Sequence, residues 1–202
     1  MSSLLREFHR RHFTTRRAEV LAARIAALLP QGASVLDVGC GNGLVESLML
    51  RRRPDLSAQG VDIRIRPECL IPAREYDGKT IPLADDSVDY AMIIDVLHHT
   101  DDPEVLMREA CRVARKGLVI KDHLIHGLFA ESTLKLMDWA GNAPYGTVLT
   151  YNFWAEEQWR AAWLRLGLRV TDWQGALGIY GWPLTLMCDR SLHFLARLDK
   201  AS

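Results

Sequence analysis

The 202-residue chain is 49% hydrophobic, which is enough for one well-buried α/β domain and short for two. Its 25 basic residues balance 25 acidic ones, so no global positive field is available to gather nucleic acid or an anionic membrane surface. Cys40, Cys69, Cys111 and Cys188 are scattered singly, with no CxxC pair and no spacing that resembles a zinc site; reduced thiols in a cytoplasmic protein are the simplest account.

Residues 1–17 set Phe8 and Phe13 among Arg6, Arg10, Arg11, Arg16 and Arg17, and read as a basic N-terminal lid helix rather than a secretory leader, because charge interrupts every apolar run. Val20, Leu21, Ile25 and Leu28 share one side of a helical wheel and predict a helix over 16–29, stopped by Pro30 and Gly32. A short buried strand follows at Ser34–Val38, then the turn Gly39-Cys40-Gly41-Asn42-Gly43, then a helix from Leu44. The run Arg51, Arg52, Arg53 reads as a solvated face. Strands are predicted at Ala58–Ile63, Asp89–Asp95 and Leu118–Lys121, with a helix at Pro103–Ala114. This alternation makes an α/β protein, with a parallel sheet covered on both faces.

Beyond Asp122 the rhythm changes. An insertion over 122–152 precedes a helix at Ala155–Leu166, and strands are predicted at Leu168–Trp173 and Leu192–Leu198. The longest uncharged stretch, Trp173–Cys188, contains three glycines and a proline and falls short of the roughly 20 apolar residues of a membrane span. Residues 174–191 therefore read as a loop or lid, and 1–202 as one domain with two substrate-side insertions.

A glycine-rich turn after a first strand is used by nicotinamide, flavin and other nucleotide ligands alike. The dinucleotide fingerprint would need glycine at position 44, which is Leu44. Asp37, at the end of the strand, would oppose a pyrophosphate but suit the ammonium of a methionine moiety. Charge thus favours S-adenosyl-L-methionine over NAD. Asp62, with its neighbour Ile63, ends the second strand where a carboxylate can accept both ribose hydroxyls. Asp77 and Gly78 could grip an adenine, although a plain surface turn explains Asp77 equally well.

Taken in order, VLDVGCGNG, GVDI and IPLADDSVDYAMIIDVLHHTDDPEVLMREACRVARKGLVI resemble class I methyltransferases of the type-11 kind, related to the ubiquinone and menaquinone biosynthesis enzymes, over about residues 18–121. The resemblance implies a Rossmann-like, doubly wound, seven-stranded, mostly parallel sheet with the last strand antiparallel and helices on both faces. It places Gly39, Gly41 and Gly43 at the methionine part of S-adenosyl-L-methionine, Asp62 at ribose, Asp77 and Gly78 beside adenine, and Asp95 and Val96 on the sulfonium side. One departure is visible: the usual K-P-G-G turn is shortened to Arg115-Lys116-Gly117, which implies a tighter connection into the fifth strand.

Methyl transfer from a sulfonium needs alignment and exclusion of water more than covalent help. His123, in Lys121-Asp122-His123 at the carboxyl edge of the sheet, is the candidate catalytic base; a structural histidine is the competing reading. His98 has a weaker claim. His99, Asp122, Asp138, Asn142 and Tyr151 are the candidate substrate-binding residues. His123 and His126 stand three apart without a nearby matched acid, so no metal is expected. Trp159 and Trp163 read as core. Trp139, Tyr145, Phe153, Trp154, Trp173, Tyr180 and Trp182 read as walls of an apolar acceptor pocket.

The leading expectation is an S-adenosylmethionine-dependent methyltransferase acting on a small molecule. The alternatives are a protein or RNA methyltransferase, for which the basic N-terminus could supply contacts, and a non-catalytic cofactor-binding protein. An NAD-dependent reductase is disfavoured by Leu44 and Asp37.

Overall fold

The computed structural model describes residues 15–142, 150–182, 185–189 and 191–201. Helix α1 (Thr15–Leu28) buries Ala18, Leu21, Ala22, Ile25 and Ala26, and these small alanines allow close approach to the sheet. It leads into β1 (Ser34–Val38), α2 (Leu44–Arg52), β2 (Ser57–Asp62), the short β3 (Ala73–Glu75) and β4 (Val88–Ile94). A 3-10 turn at Leu97–His99 precedes α3 (Pro103–Val113) and β5 (Ala114–His123). Then come α4 (Ala130–Asn142), α5 (Glu156–Arg165), β6 (Leu168–Gln174), α6 (Thr185–Cys188) and β7 (His193–Lys200). Residues 1–14, including Phe8 and Phe13 of the expected lid, and Tyr145 lie outside the described residues.

The seven strands form one sheet in the order β3-β2-β1-β4-β5-β7-β6. β7 runs antiparallel between β5 and β6, in agreement with the resemblance. Alternate residues of the central strands feed two cores, as a pleat covered on both faces requires. Leu36, Ile93, Ile120 and Phe194 point toward α3 and α5, with Trp159 and Trp163 in the same cluster. Val35, Met92, Val119 and Leu195 point toward α1 and α2.

Helix α3 starts cleanly: Pro103 opens it, and the Asp102 side chain accepts a hydrogen bond from the Glu104 amide at 2.9 Å. Its end is abrupt. β5 begins at Ala114, directly after Val113, which is the tightened connection expected from the lost K-P-G-G turn. Gly117 lies so close to β7 that an added Cβ would sit 1.9 Å from the Leu198 carbonyl oxygen. β5 extends through Asp122 and His123, so the insertion starts after His123 rather than at 122, and it contains α4. The stretch after Gln174 is no open loop: Leu177 and Ile179 are buried in the α1 side of the core.

Candidate active site

The carboxyl ends of β1, β2, β4 and β5 meet at one edge of the sheet, where open α/β folds bind ligands. Two groupings of side chains lie there.

The first is the glycine turn. Gly39, Gly41 and Gly43 have φ of 84°, 57° and 69°, a region that L side chains rarely adopt. A Cβ on Gly39 would lie 2.4 Å from Val96 Cγ2, and one on Gly43 would lie 2.6 Å from Ile71 Cγ1. The turn is thus bare backbone packed down on its neighbours. Asp62 Oδ2 accepts a hydrogen bond from the Gly41 amide at 2.8 Å, and its Oδ1 accepts one from the Arg64 amide at 3.1 Å. Asp62 therefore splints the turn to the end of β2, and each carboxylate oxygen keeps a lone pair for a further donor.

Asp37 lies buried under this turn beside Glu46 of α2. Burial, reinforced by the Glu46 carboxyl, pushes Asp37 well above the usual carboxylate range, and burial raises Glu46 as well. Asp37 Oδ1 and Glu46 Oε1 have no hydrogen-bond partner among the described residues. These orphaned oxygens and the side-chain-free turn fit the ammonium and backbone-like part of a methionine moiety. Ile63 is 69% exposed on the rim, and a Cβ on Gly78 would touch its Cγ2 at 3.4 Å, so the two share one lip. Asp77 Oδ1 accepts hydrogen bonds from the amides of Thr80 and Lys79, which hold its carboxyl below the usual range.

The second grouping is a polar cluster at the ends of β4, β5 and β7. Asp95, with φ of 54°, directs its carboxylate at the Lys121 ammonium and the Arg17 guanidinium. Burial opposes ionisation, yet Lys121 and Arg17 hold Asp95 well below the usual range. Lys121 is itself buried, which lowers its pKa, and its Nζ lies 3.3 Å from His193 Nδ1. Asp122 is fully buried and accepts from the His123 amide at 2.7 Å and the Leu97 amide at 3.1 Å. Its Oδ1 also lies 2.6 Å from His98 Nδ1.

These neighbours split the histidines. Burial pulls His98 down, but Asp122 outweighs it and pushes the imidazole up to about 10. Burial takes His123 down to about 4, and His193 is lowered well below its usual value by burial and Lys121. His99 is lowered by burial and by His98. His123 Nδ1 lies 3.3 Å from His98 Nδ1 and 3.4 Å from Asp122 Oδ1.

A small apolar roof covers this cluster. Phe153 is buried with Ala130, Leu134 and Leu192, and its ring stands 5.4 Å from those of both His98 and His123. The segment is tied down where Thr150 Oγ1 and the Asn152 amide donate to the His98 carbonyl at 2.6 and 3.1 Å. Tyr151, with φ of 55°, packs beside Phe153, and Asp138 reaches down from α4 to His98 and His99. Asn142 ends α4.

The geometry thus brings His98, His99, His123, Asp122, Asp138 and Tyr151 together around one roof, and sets Asp37, Asp62, Ile63, Gly78 and the glycines around the turn. Asp95 and Val96 join the two. Of the expected aromatic walls, Trp173 instead stacks on Phe194 in the core at 4.9 Å, while Trp139 and Trp182 are exposed. Arg17, Glu46, Lys121 and His193 escaped sequence reasoning. For His193 a signal existed: an antiparallel last strand sets its first residue opposite the end of β5, and His193 pairs with His123.

Comparison with known proteins agrees with this architecture. Residues 9–172 match the model of a methyltransferase-domain family. The ubiquinone biosynthesis O-methyltransferase of Xanthomonas axonopodis pv. citri is 30% identical over 179 residues, 80% of this chain and 72% of that protein. Methyltransferase GfsG of Streptomyces halstedii is 33% identical over 111 residues, 48% of this chain and only 40% of that protein, so the chain spans less than half of GfsG. Among solved structures, the complex between the Haloferax volcanii Trm112 methyltransferase activator and a methyltransferase contains a chain that superposes with a TM-score of 0.68 at 18% identity, covering 97% of this chain and 92% of that one. The mitomycin 7-O-methyltransferase MmcR superposes with a TM-score of 0.65 at 22% identity, over 91% of this chain and 54% of that one. At such identities the structural likenesses speak for the fold alone.

Proposed function

The chain belongs to the S-adenosylmethionine-dependent methyltransferase family, and from that premise we propose that it methylates a small, partly apolar acceptor, with oxygen the favoured acceptor atom. The observation that carries this reading is the roof of Phe153, Leu134 and Leu192 lying directly over the ionisable cluster, an apolar wall above a strongly polar floor. The ubiquinone biosynthesis O-methyltransferase, which matches most of this chain, supports the same acceptor class.

The cofactor, when bound, supplies an electrophilic sulfonium methyl. Gly39, Gly41 and Gly43 would receive its methionine part, the orphaned oxygens of Asp37 and Glu46 its ammonium, Asp62 the ribose hydroxyls, and Ile63 with Asp77 and Gly78 the adenine. Asp95 and Val96 lie between this cradle and the roof. His123 is the base that takes the acceptor proton: burial keeps its imidazole neutral at pH 7, and Asp122 holds its backbone. The roof excludes water, so that alignment supplies most of the acceleration. His99, Asp138 and Tyr151 orient the acceptor, and Asn142 closes the same end of α4.

The test is methyl transfer from labelled S-adenosylmethionine to a panel of small phenols and hydroxylated polyketides, with peptides and RNA alongside. Turnover of a small acceptor is expected. His123→Gln should lower kcat about 10²- to 10⁴-fold for an acceptor that must lose a proton while leaving S-adenosylhomocysteine affinity unchanged. Methylation confined to peptides or RNA would sink the proposal.

A second reading, an enzyme acting on a macromolecule with an activator bound, draws on the near full-length superposition with a chain from the Trm112 complex and on exposed Leu128, Phe129, Leu136 and Trp139. It predicts affinity that falls steeply with salt, which a small apolar acceptor would not show.

A further inference from the structure

Where α4 crosses the turn after β4, three buried ligand atoms converge. His98 Nε2 and His99 Nε2 each lie 3.7 Å from Asp138 Oδ1, and all three atoms fall within 4.8 Å of one another. The His98 side chain is 2% exposed and that of Asp138 is 1% exposed, so both are shielded from solvent.

The tautomer of His98 sharpens the point. Asp122, 2.6 Å from Nδ1, is acceptor-only when ionised and takes the proton there. The Nε2 of His98 therefore faces the Asp138 carboxylate oxygen, and a divalent ion would take the place of the Nε2 proton between them. At 3.7 Å the gap is too long for a shared proton in a hydrogen bond, whereas ligands about 2.0–2.1 Å from a tetrahedral zinc stand roughly 3.4 Å apart. Asp122 on the far nitrogen of His98 is also the carboxylate-histidine arrangement that orients metal-binding imidazoles.

We propose that His98, His99 and Asp138 form a divalent transition-metal site, with Asp122 as the residue that orients His98. Two imidazoles and one carboxylate select zinc and its neighbours, cobalt among them, over magnesium or calcium. The neighbouring grouping of Asp95, His98, Asp122 and His123, which shares His98, is a poorer site, because Lys121, Arg17 and two backbone amides already occupy its carboxylates. Three protein ligands leave a fourth position, and the His99 side chain, 17% exposed, marks the side from which it is reached. The ion would pin α4 to the β4 turn. On the acceptor reading proposed above, it would also be where an acceptor oxygen docks as an alkoxide or phenoxide.

The test needs no acceptor and no cofactor. Chelator-stripped protein is titrated with Co²⁺ and followed by visible absorption, with metal content measured after gel filtration. One equivalent is expected. Asp138→Asn and His99→Gln should each weaken binding at least tenfold, and His126→Gln, on an exposed histidine of the same segment, should leave it unchanged. Circular dichroism checks folding; if Asp138→Asn unfolds, His99→Gln decides. Sub-stoichiometric binding by the wild type, or equal binding by the folded His99→Gln and Asp138→Asn variants, would overturn the site. S-adenosylhomocysteine titrated into the same samples reads the cofactor cradle independently, so a failed metal site and a failed methyltransferase reading give different results.

Discussion

Two groups of carboxyls at the same edge of the sheet have opposite ionisation. Asp37, at the end of β1, faces Glu46 and keeps its proton far above the usual range. Asp122, at the end of β5, is as deeply enclosed, Asp95, just after β4, has a side chain 18% exposed, and both are held ionised by Lys121, Arg17 and His98. Burial acts in the same direction on all of them; the partners decide the outcome. The first region is poised to receive a cation from outside, and the second carries its own.

The comparison is most directly broken at Asp122. Asp122→Ala strips the acceptor from two amides and His98 in a closed site, and should cost about 3–5 kcal/mol, read as a large fall in melting temperature. Asp122→Asn keeps the volume and should cost less. A loss under about 1 kcal/mol would mean that the cluster is open to water.

At the first region the largest effect is expected from Gly39→Ala, which sets a Cβ into Val96 at a φ of 84°. Strain of about 1–3 kcal/mol and a displaced turn should reduce S-adenosylhomocysteine affinity more than tenfold, measured by calorimetry. Asp62→Ala comes next. It removes the splint on the Gly41 amide along with the ribose acceptor, and a loss of about tenfold to a hundredfold in affinity is expected from about 1.5–3 kcal/mol for hydrogen bonds to a charged group.

The smallest effect is one of pH. Because Asp37 and Glu46 are raised in the folded chain, the native state binds more protons than the unfolded state at pH values above the ordinary carboxylate range. Their contribution to stability is therefore present at low pH and is lost as pH rises from that range through their folded values. Glu46→Gln removes one acid and should flatten the fall in melting temperature as pH rises above the ordinary carboxylate range. A wild type that gains stability through that window from this pair would contradict the assignment.

Much of this fold was legible in the sequence because the central strands and their helices follow hydrophobic period. β1, α3, β6 and β7 lie within about two residues of their predicted bounds, which is the ordinary uncertainty at element ends. Among the elements that escaped are α6, inside the stretch read as a loop, β3 and α4. β3 is three residues, Ala73–Glu75, none of them buried, and offers no alternation to read. Helix α4 buries Ala130, Leu134 and Asp138 at four-residue spacing, and its third inward position is an acid, so an apolar-period search passes over it. The glycine turn was readable because its backbone demands glycine. The second cluster was only half readable: β5 carries Lys121, Asp122 and His123 in a row, but Arg17 and His193 join it through folding, across 78 residues in the case of Arg17 and Asp95.

The central claim is that the turn at Gly39, Gly41 and Gly43 is a cradle for S-adenosylmethionine, and calorimetry tests it most directly. Wild type, Gly39→Ala and Asp62→Ala would each be titrated with S-adenosylhomocysteine and, separately, with NADH. The account predicts that the wild type binds S-adenosylhomocysteine and not NADH, and that both variants lose most of that affinity while remaining folded. NADH binding, or S-adenosylhomocysteine affinity indifferent to both substitutions, would contradict it.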